Sequence, residues 1–239
     1  MLTHLFNSAL LMLAVVAGGV FVIALNALDQ RRIVKILLAF SGGFLLAMAF
    51  AHFLPELYMA QQAHIGIYVL LGFLIQLFLE YFSGGIEHGH VHHHGQATIP
   101  WTLLVSLSVH SFLEGIPLAH PEIVHHAHHA ETNSLLFGIV LHQIPVAIAL
   151  MTLLRHGGNT IGKSWMLLLL FGIMTPAGLW FGVSFQGHIS MEVMNALLAI
   201  VIGMFLHIST TIIFETSENH KFNLLIFVAG SLFGRPFLC

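Results

Sequence analysis

Residues 8–28 read SALLMLAVVAGGVFVIALNAL, a run without a single charged side chain. A helix needs roughly 20 apolar residues to cross a hydrocarbon core about 30 Å thick. The run is longer than the about 7–15 apolar residues at the centre of a signal peptide, and no basic residue precedes it. We therefore predict a transmembrane helix that is retained in the mature protein.

Seven further apolar windows follow along the chain. Together with the first, they predict helices at 8–28, 33–55, 64–83, 101–119, 134–154, 165–185, 193–214 and 222–238. The eighth window is the shortest and contains Arg235 and Pro236 near its end. The apolar runs do not alternate with polar residues as the strands of a membrane β-barrel do. The sequence thus predicts an all-α membrane protein, with eight transmembrane helices in a single transmembrane domain over 1–239.

The overall composition excludes several other classes of protein. Hydrophobic residues make up 57% of the chain and charged residues only 7%, whereas a soluble domain carries about 25% charged residues. Seven Lys and Arg residues cannot build a phosphate-binding patch, which excludes a nucleic-acid partner. The single cysteine, Cys239, excludes an internal disulfide framework. The 19 histidines outnumber the 10 acidic residues and indicate metal chemistry instead.

Lys and Arg in short loops predict the orientation in the membrane, because basic loops stay in the cytoplasm. Six of the seven basic residues lie after the first, fifth and seventh windows, namely Arg31, Arg32, Lys35, Arg155, Lys163 and Lys221. These loops are therefore expected to be cytoplasmic and both termini external. Arg235 is the exception.

Two predicted loops are rich in histidine. The first, 87–95, is expected in the cytoplasm and the second, 120–132, outside. The first contains His88, His90, His92, His93 and His94. Tracts of this kind either collect metal ions weakly or serve as flexible polar linkers. Neither loop fixes a coordination geometry, so we do not expect either one to be the centre of the protein's function.

The fourth window carries ionisable residues at membrane depth, where such residues are costly and mark functional sites. His110 and Glu114 are four residues apart and therefore share one helix face, with Ser111 beside them. An imidazole and a carboxylate form half of a zinc-type shell. Gly115 would let another helix approach closely, and Pro117 would leave the Leu113 carbonyl without its usual donor. The alternative is a structural, hydrogen-bonded pair.

The fifth window repeats this arrangement with His142, Gln143 and the helix-interrupting Pro145. Neighbouring helices that are interrupted by proline and carry polar residues are typical of a transporter's central site. The alternative for His142 and Gln143 is an interhelical hydrogen bond.

Polar residues in two other windows are weaker candidates. In the second window, His52 and Glu56 are again four residues apart, near the predicted outer end. They would either supply ligands from a third helix or guard the entrance, and the alternatives are an interfacial histidine and a solvated helix end. His207, in the seventh window, has no carboxylate near it in sequence, and a structural hydrogen bond is at least as good an explanation. Glu80, at the end of the third window, is explained by solvation.

These motifs resemble those of the ZIP (Zrt/Irt-like) family of metal transporters, bacterial type. Residues 110–115, HSFLEG, are similar to the fourth-helix signature His-Asn-x-x-Glu-Gly. Residues 142–145, HQIP, are similar to the fifth-helix signature His-Glu/Asp-x-Pro. The segment 52–56, HFLPE, and a His-rich loop after the third helix also fit. The resemblance covers essentially the whole chain.

The resemblance implies uptake of a divalent metal, most often zinc, toward the cytoplasm through a site between the second, fourth and fifth helices. His52, His110, Glu114 and His142 are the expected ligands, with Glu56, Ser111, Gln143 and His207 as secondary or path residues. The family has a 3+2+3 arrangement in which the first and last three helices form an inverted repeat, and many members are homodimers. A multi-pass protein of the bacterial inner (plasma) membrane is the implied location.

The chain departs from the family pattern at three positions. Ser111 replaces the usual Asn, Gln143 replaces a carboxylate, and Val146 stands where Glu, Asp or His is common. A second, bridged ion would need those oxygen ligands, so we expect a site for one ion.

The expected function is therefore a divalent metal transporter with no catalytic cofactor, whose partners are the metal ion and the lipid bilayer. Zn²⁺ is favoured, and the nitrogen-rich ligands also suit Fe²⁺, Mn²⁺, Co²⁺, Ni²⁺ or Cd²⁺. The main alternative is an intramembrane zinc-dependent hydrolase, but His-Glu-x-x-His is absent from the sequence. A metal sensor would need a soluble effector domain, and none is predicted.

Overall fold

The computed structural model describes residues 1–24, 30–59, 64–83, 99–119, 134–185, 187–215 and 220–233. Throughout this part of the chain the regular structure is helical, which confirms the predicted fold class. Both His-rich loops, including His88, His90, His92, His93 and His94, lie outside the described residues.

Ten α-helices build the described part of the chain. They are α1 (Leu2–Ala24), α2 (Gln30–Met48), α3 (Leu54–Met59), α4 (Ile65–Ser83), α5 (Trp101–Gly115), α6 (Ser134–His156), α7 (Ile161–Gly172), α8 (Met174–Ser184), α9 (Met191–Glu215) and α10 (His220–Phe233). A π-helical segment, Ala49–Phe53, joins α2 to α3, and a 3₁₀ segment, Ile116–Ala119, ends α5.

Seven of the predicted membrane spans are present among the described residues at a length and hydropathy that suit a bilayer. The second span is continuous over 32–59 and the sixth over 161–184, each made of two joined helices. The eighth window forms α10, a shorter helix whose apolar part is Leu224–Phe233. Arg235 and Pro236, at the end of the predicted window, lie outside the described residues.

Prolines account for the irregular points in two spans. In the second span, the Leu54 N–H donates to the Ala49 carbonyl, five residues back, next to the Pro55 ring. Because proline has no N–H, the helix hydrogen-bonding pattern is disturbed there and a π turn forms. In the sixth span, the helix is interrupted at Ile173, three residues before Pro176.

The helices pack in pairs that are distant in sequence. The closest pairs are α4 with α9, α2 with α10, α1 with α6, and α5 with α8. An inverted repeat that exchanges the first three spans with the last three would exchange the α4–α9 pair with the α2–α10 pair. It would likewise exchange the α1–α6 pair with the α5–α8 pair. The packing therefore supports the 3+2+3 arrangement, and the repeat itself stays a prediction.

Glycine brings α5 and α8 into contact beside the polar residues of the fourth and fifth spans. A Cβ on Gly115 would lie 2.1 Å from the Thr175 carbonyl oxygen, and one on Gly178 would lie 2.0 Å from that of Phe112. The two backbones thus touch where only glycine fits, as small residues permit in membrane helix packing. The predicted close approach at Gly115 is confirmed.

Two apolar clusters fill the core on either side of those polar residues. Along α6, the first cluster includes Leu135, Leu136 and Ile139. The second includes Leu150 and Met151, and His142 lies in sequence between the two clusters. On α5 and its 3₁₀ extension the order along the chain is reversed, as in two antiparallel spans. Leu103, Leu104 and Leu107 belong to the second cluster, and Ile116, Leu118 and Ala119 to the first. The polar residues therefore occupy a layer enclosed by hydrocarbon.

Candidate metal centre

His110, Glu114 and His142 form a group that suits a metal ion. One potential ligand atom from each lies within 4.8 Å of those from the other two. His110 and Glu114 come from one face of α5, and His142 comes from α6, which packs beside the same layer. Their exposed fractions are 3%, 1% and 4%. Buried imidazoles and a carboxylate at this spacing are the donor set of a zinc-type site.

The two α5 residues are in direct contact. His110 Nε2 lies 2.5 Å from Glu114 Oε1. On the other side of the ring, His110 Nδ1 lies 2.9 Å from Gln76 Oε1, which belongs to α4. An amide oxygen only accepts, so Nδ1–H donates to it, and in the neutral ring Nε2 then presents its lone pair toward Glu114.

Two oxygen atoms in this layer accept no hydrogen bond from the described part of the chain. They are Glu114 Oε1 and Gln143 Oε1, and both are completely buried. A buried polar atom without a partner costs free energy, and both of these residues line one cavity, where a ligand that needs lone pairs could satisfy them. A metal cation is such a ligand.

Thr175 sets the orientation of the Gln143 amide. Gln143 Nε2 donates to Thr175 Oγ1 at 2.8 Å, and both side chains are buried. The amide nitrogen is thereby held toward α8, and the amide oxygen is the end left for the layer of His110 and His142. Close packing at Gly115 is what brings Thr175 within reach.

A cavity of about 10 Å³, the space that about one water-sized sphere needs, lies among these residues. Its polar lining consists of His110, Ser111, Glu114, His142 and Gln143, and its apolar lining of Leu107, Val146, Phe171 and Ile208. The cavity has room for one ion that has lost its hydration shell. It has no room for a hydrated one.

The structure brings together three of the four predicted ligands, and it places His52 elsewhere. His52 Nε2 bonds to Ser134 Oγ at 2.9 Å, and its Nδ1 lies 3.8 Å from Glu56 Oε1. The π turn around His52 sets the direction of this side chain, which the sequence spacing could not predict. Glu56 is 7% exposed, so the interpretation of a solvated helix end does not apply to it.

His207 and Glu80 form another buried contact, between α9 and α4. His207 Nε2 approaches Glu80 Oε2, and the Phe73 ring meets the imidazole edge-on at 4.7 Å. The sequence interpretation that solvation explains Glu80 is wrong, because its side chain is only 13% exposed and pairs with His207, 127 residues away along the chain. His207 thus has the hydrogen-bonded role that the sequence offered as its alternative.

The sequence did not predict two residues of the site, and the prediction that the Leu113 carbonyl lacks a hydrogen-bond donor is wrong. Gln76 and Thr175 were not predicted, although a lone amide in the apolar third span was a usable signal. The Leu113 carbonyl is not left open by Pro117, because the Ile116 N–H donates to it as the helix tightens into the 3₁₀ segment.

A helical membrane protein with a buried two-histidine, one-carboxylate centre belongs to the class of metal-handling membrane proteins. The sequence model of the ZIP Zinc transporter family matches residues 85–235, well over half of the chain, including both helices that carry the centre. The chain belongs to this family. It is therefore an integral, multi-pass divalent metal transporter and not an enzyme, which removes the hydrolase alternative. No curated protein in the comparison matches the chain.

Proposed function

We propose that the protein moves zinc toward the cytoplasm through a site at which His110, Glu114 and His142 bind one metal ion. The observation that carries this proposal is the contact between His110 Nε2 and Glu114 Oε1. With Nδ1 donating to Gln76, two lone pairs face each other at that contact, and a bound cation would turn their repulsion into attraction.

The donor set favours zinc and related transition metals over the alkaline earths. Zn²⁺ binds imidazole nitrogen and carboxylate oxygen in a tetrahedral shell. Ca²⁺ needs about six to eight oxygen ligands, and Mg²⁺ keeps several of its waters, which the cavity of about 10 Å³ cannot hold. Fe²⁺, Mn²⁺, Co²⁺, Ni²⁺ and Cd²⁺ share the preference for nitrogen to different degrees and are competing substrates.

The lining of the cavity supports one ion rather than two. Val146 occupies the position next to the amide of Gln143 and offers no ligand atom. Ser111 and Gln143 supply neutral oxygens, which bridge two dications poorly. Only Glu114 brings negative charge among the described residues of the lining.

His52, Glu56 and Ser134 are proposed to guard the entrance instead of completing the central shell. They form a polar group where the π-helical segment and the start of α6 meet, at the edge of the first apolar cluster. The His-rich loops would collect ions, and their replacement should alter uptake only modestly. The cytoplasmic direction, the external termini and the bacterial inner membrane rest on the distribution of Lys and Arg and on the family resemblance, and the homodimer on that resemblance alone.

Uptake into proteoliposomes tests the proposal. Zn²⁺ uptake should be saturable and reduced by competing Cd²⁺ or Co²⁺, but not by Ca²⁺ or Mg²⁺. Glu114→Gln keeps the shape of the side chain and removes its charge, so uptake should essentially vanish. The matched control is Glu192→Gln, since Glu192 is an exposed residue in the first turn of α9, and it should transport normally. Full uptake by Glu114→Gln would refute the proposed site.

A further inference from the structure

The third span takes part in the metal centre through one residue. Gln76 lies in α4 and is completely buried, and its amide oxygen is 2.9 Å from His110 Nδ1. The main packing partner of α4 is α9, so this contact reaches across to a helix of a different pair. Burying an amide in an apolar helix costs free energy unless the amide is hydrogen-bonded. The contact with His110 provides such a hydrogen bond.

The contact decides which nitrogen of His110 can bind metal. A neutral imidazole carries its proton on either nitrogen, and the acceptor beside one nitrogen selects the tautomer. Gln76 Oε1 can only accept, so it places the proton on Nδ1 and turns the lone pair of Nε2 toward Glu114 Oε1. In metal sites of other proteins, partners of this kind fix the ring orientation and raise the basicity of the ligand.

We propose that Gln76 is a positioning residue for metal binding, holding His110 in the tautomer that presents Nε2 to the ion. This inference rests on the proposed site at His110, Glu114 and His142. It adds the third span to the elements that set metal affinity, so that movement of α4 against α5 would change affinity without moving a ligand residue.

The test measures Zn²⁺ affinity on the purified full chain, with the histidines of both loops replaced by serine so that they do not contribute. Gln76→Met keeps the side-chain length and removes the amide oxygen, and affinity should fall about 10- to 100-fold. Gln76→Glu restores an acceptor of the same shape and should keep the affinity within a few-fold of the parent. Ser231→Ala removes a different interhelical hydrogen bond, from Ser231 Oγ to the Gly43 carbonyl, and should leave affinity unchanged.

A second measurement reads the tautomer directly. In the metal-free parent, ¹⁵N NMR of labelled histidine, assigned by difference from His110→Ala, should show the proton of His110 on Nδ1. Gln76→Met should show a mixture of both tautomers. This measurement on the parent decides the question even if Gln76→Met fails to fold.

The results separate this inference from the proposed function. Parent affinity in folded Gln76→Met, a similar loss in Gln76→Glu, or a parent tautomer with the proton on Nε2 would each overturn the role of Gln76. If instead Glu114→Gln binds Zn²⁺ as the parent does, the proposed site itself is wrong.

Discussion

Glu114 sets the charge of the site at the level of the single residue. Neutral imidazoles from His110 and His142 add no charge, so a bound dication keeps about one net positive charge beside the carboxylate. We expect such a site to hold the ion through the geometry of its ligands while water is excluded, more than through charge. Binding of this kind can be reversed when water returns, as a transport cycle requires.

Adding carboxylates at two cavity positions should create a second metal site. Gln143→Glu with Val146→Glu supplies the charged oxygens that bridge two dications, so the number of tightly bound ions per chain should rise from one to two. The measurement is metal analysis of purified protein in which the histidines of both loops are replaced by serine. Gln143→Met with Val146→Leu is the matched control and should hold no more than one ion. Two ions in the parent would contradict the one-ion site.

Metal affinity should weaken as the solution becomes more acidic. Histidine binds metal only when neutral, and its ordinary pKa is about 6.5. Below that pH, protons compete with metal for His110 and His142, so affinity should fall by about tenfold per pH unit for each imidazole. Titrations with Zn²⁺ on the same loop-substituted protein at about pH 7.5, 6 and 5 measure the effect. Equal affinity across this range would show that the imidazoles are not ligands.

At the level of the helices, the contact between α5 and α8 positions residues of the centre. It holds Thr175 against Gln143, and through Gly115 it lies directly beside Glu114. Any side chain at that glycine must push a backbone carbonyl away, because the atom it meets belongs to the main chain and cannot rotate aside.

Gly115→Ala should therefore destabilise the protein and slow uptake. The new Cβ would meet the Thr175 carbonyl oxygen at 2.1 Å, and overpacking of this kind costs about 1–3 kcal/mol. Thermal unfolding in detergent and Zn²⁺ uptake are the two measurements. Gly162→Ala in α7 is the control, since no atom lies within 4 Å of its added Cβ. If both variants unfold and transport alike, the close contact has no such role.

The sequence could predict what depends on one helix alone. Bilayer thickness fixes the length of the apolar windows, and a separation of four residues places His110 and Glu114 on one face. It could not predict contacts that depend on how one helix is rotated against another. Gln76 is 34 residues from His110 and Thr175 is 32 residues from Gln143, and no spacing rule connects positions in different spans. The π turn near His52 did leave a local signal, the proline at position 55.

At the level of the whole molecule, the distribution of basic residues should orient the bundle in the membrane. We expect the segment 29–32 to be cytoplasmic and the segment 122–132 to be external. With Cys239 replaced by serine, single cysteines introduced into each segment can be treated with an impermeant thiol reagent on intact cells. Labelling should occur in 122–132 alone. The reverse pattern would overturn the orientation and, with it, the proposed direction of transport.

The two apolar clusters on either side of the centre also have an electrical consequence. Dry hydrocarbon layers carry most of the voltage across a membrane, so the centre lies between two steps of the membrane potential. A charge that crosses the whole potential gains about 2.3 kcal/mol per 100 mV, and a dication gains twice that, about 4.6 kcal/mol. If the cell interior is about 100 mV negative, this free energy is enough to concentrate the dication inside by roughly a thousandfold without any coupled ion.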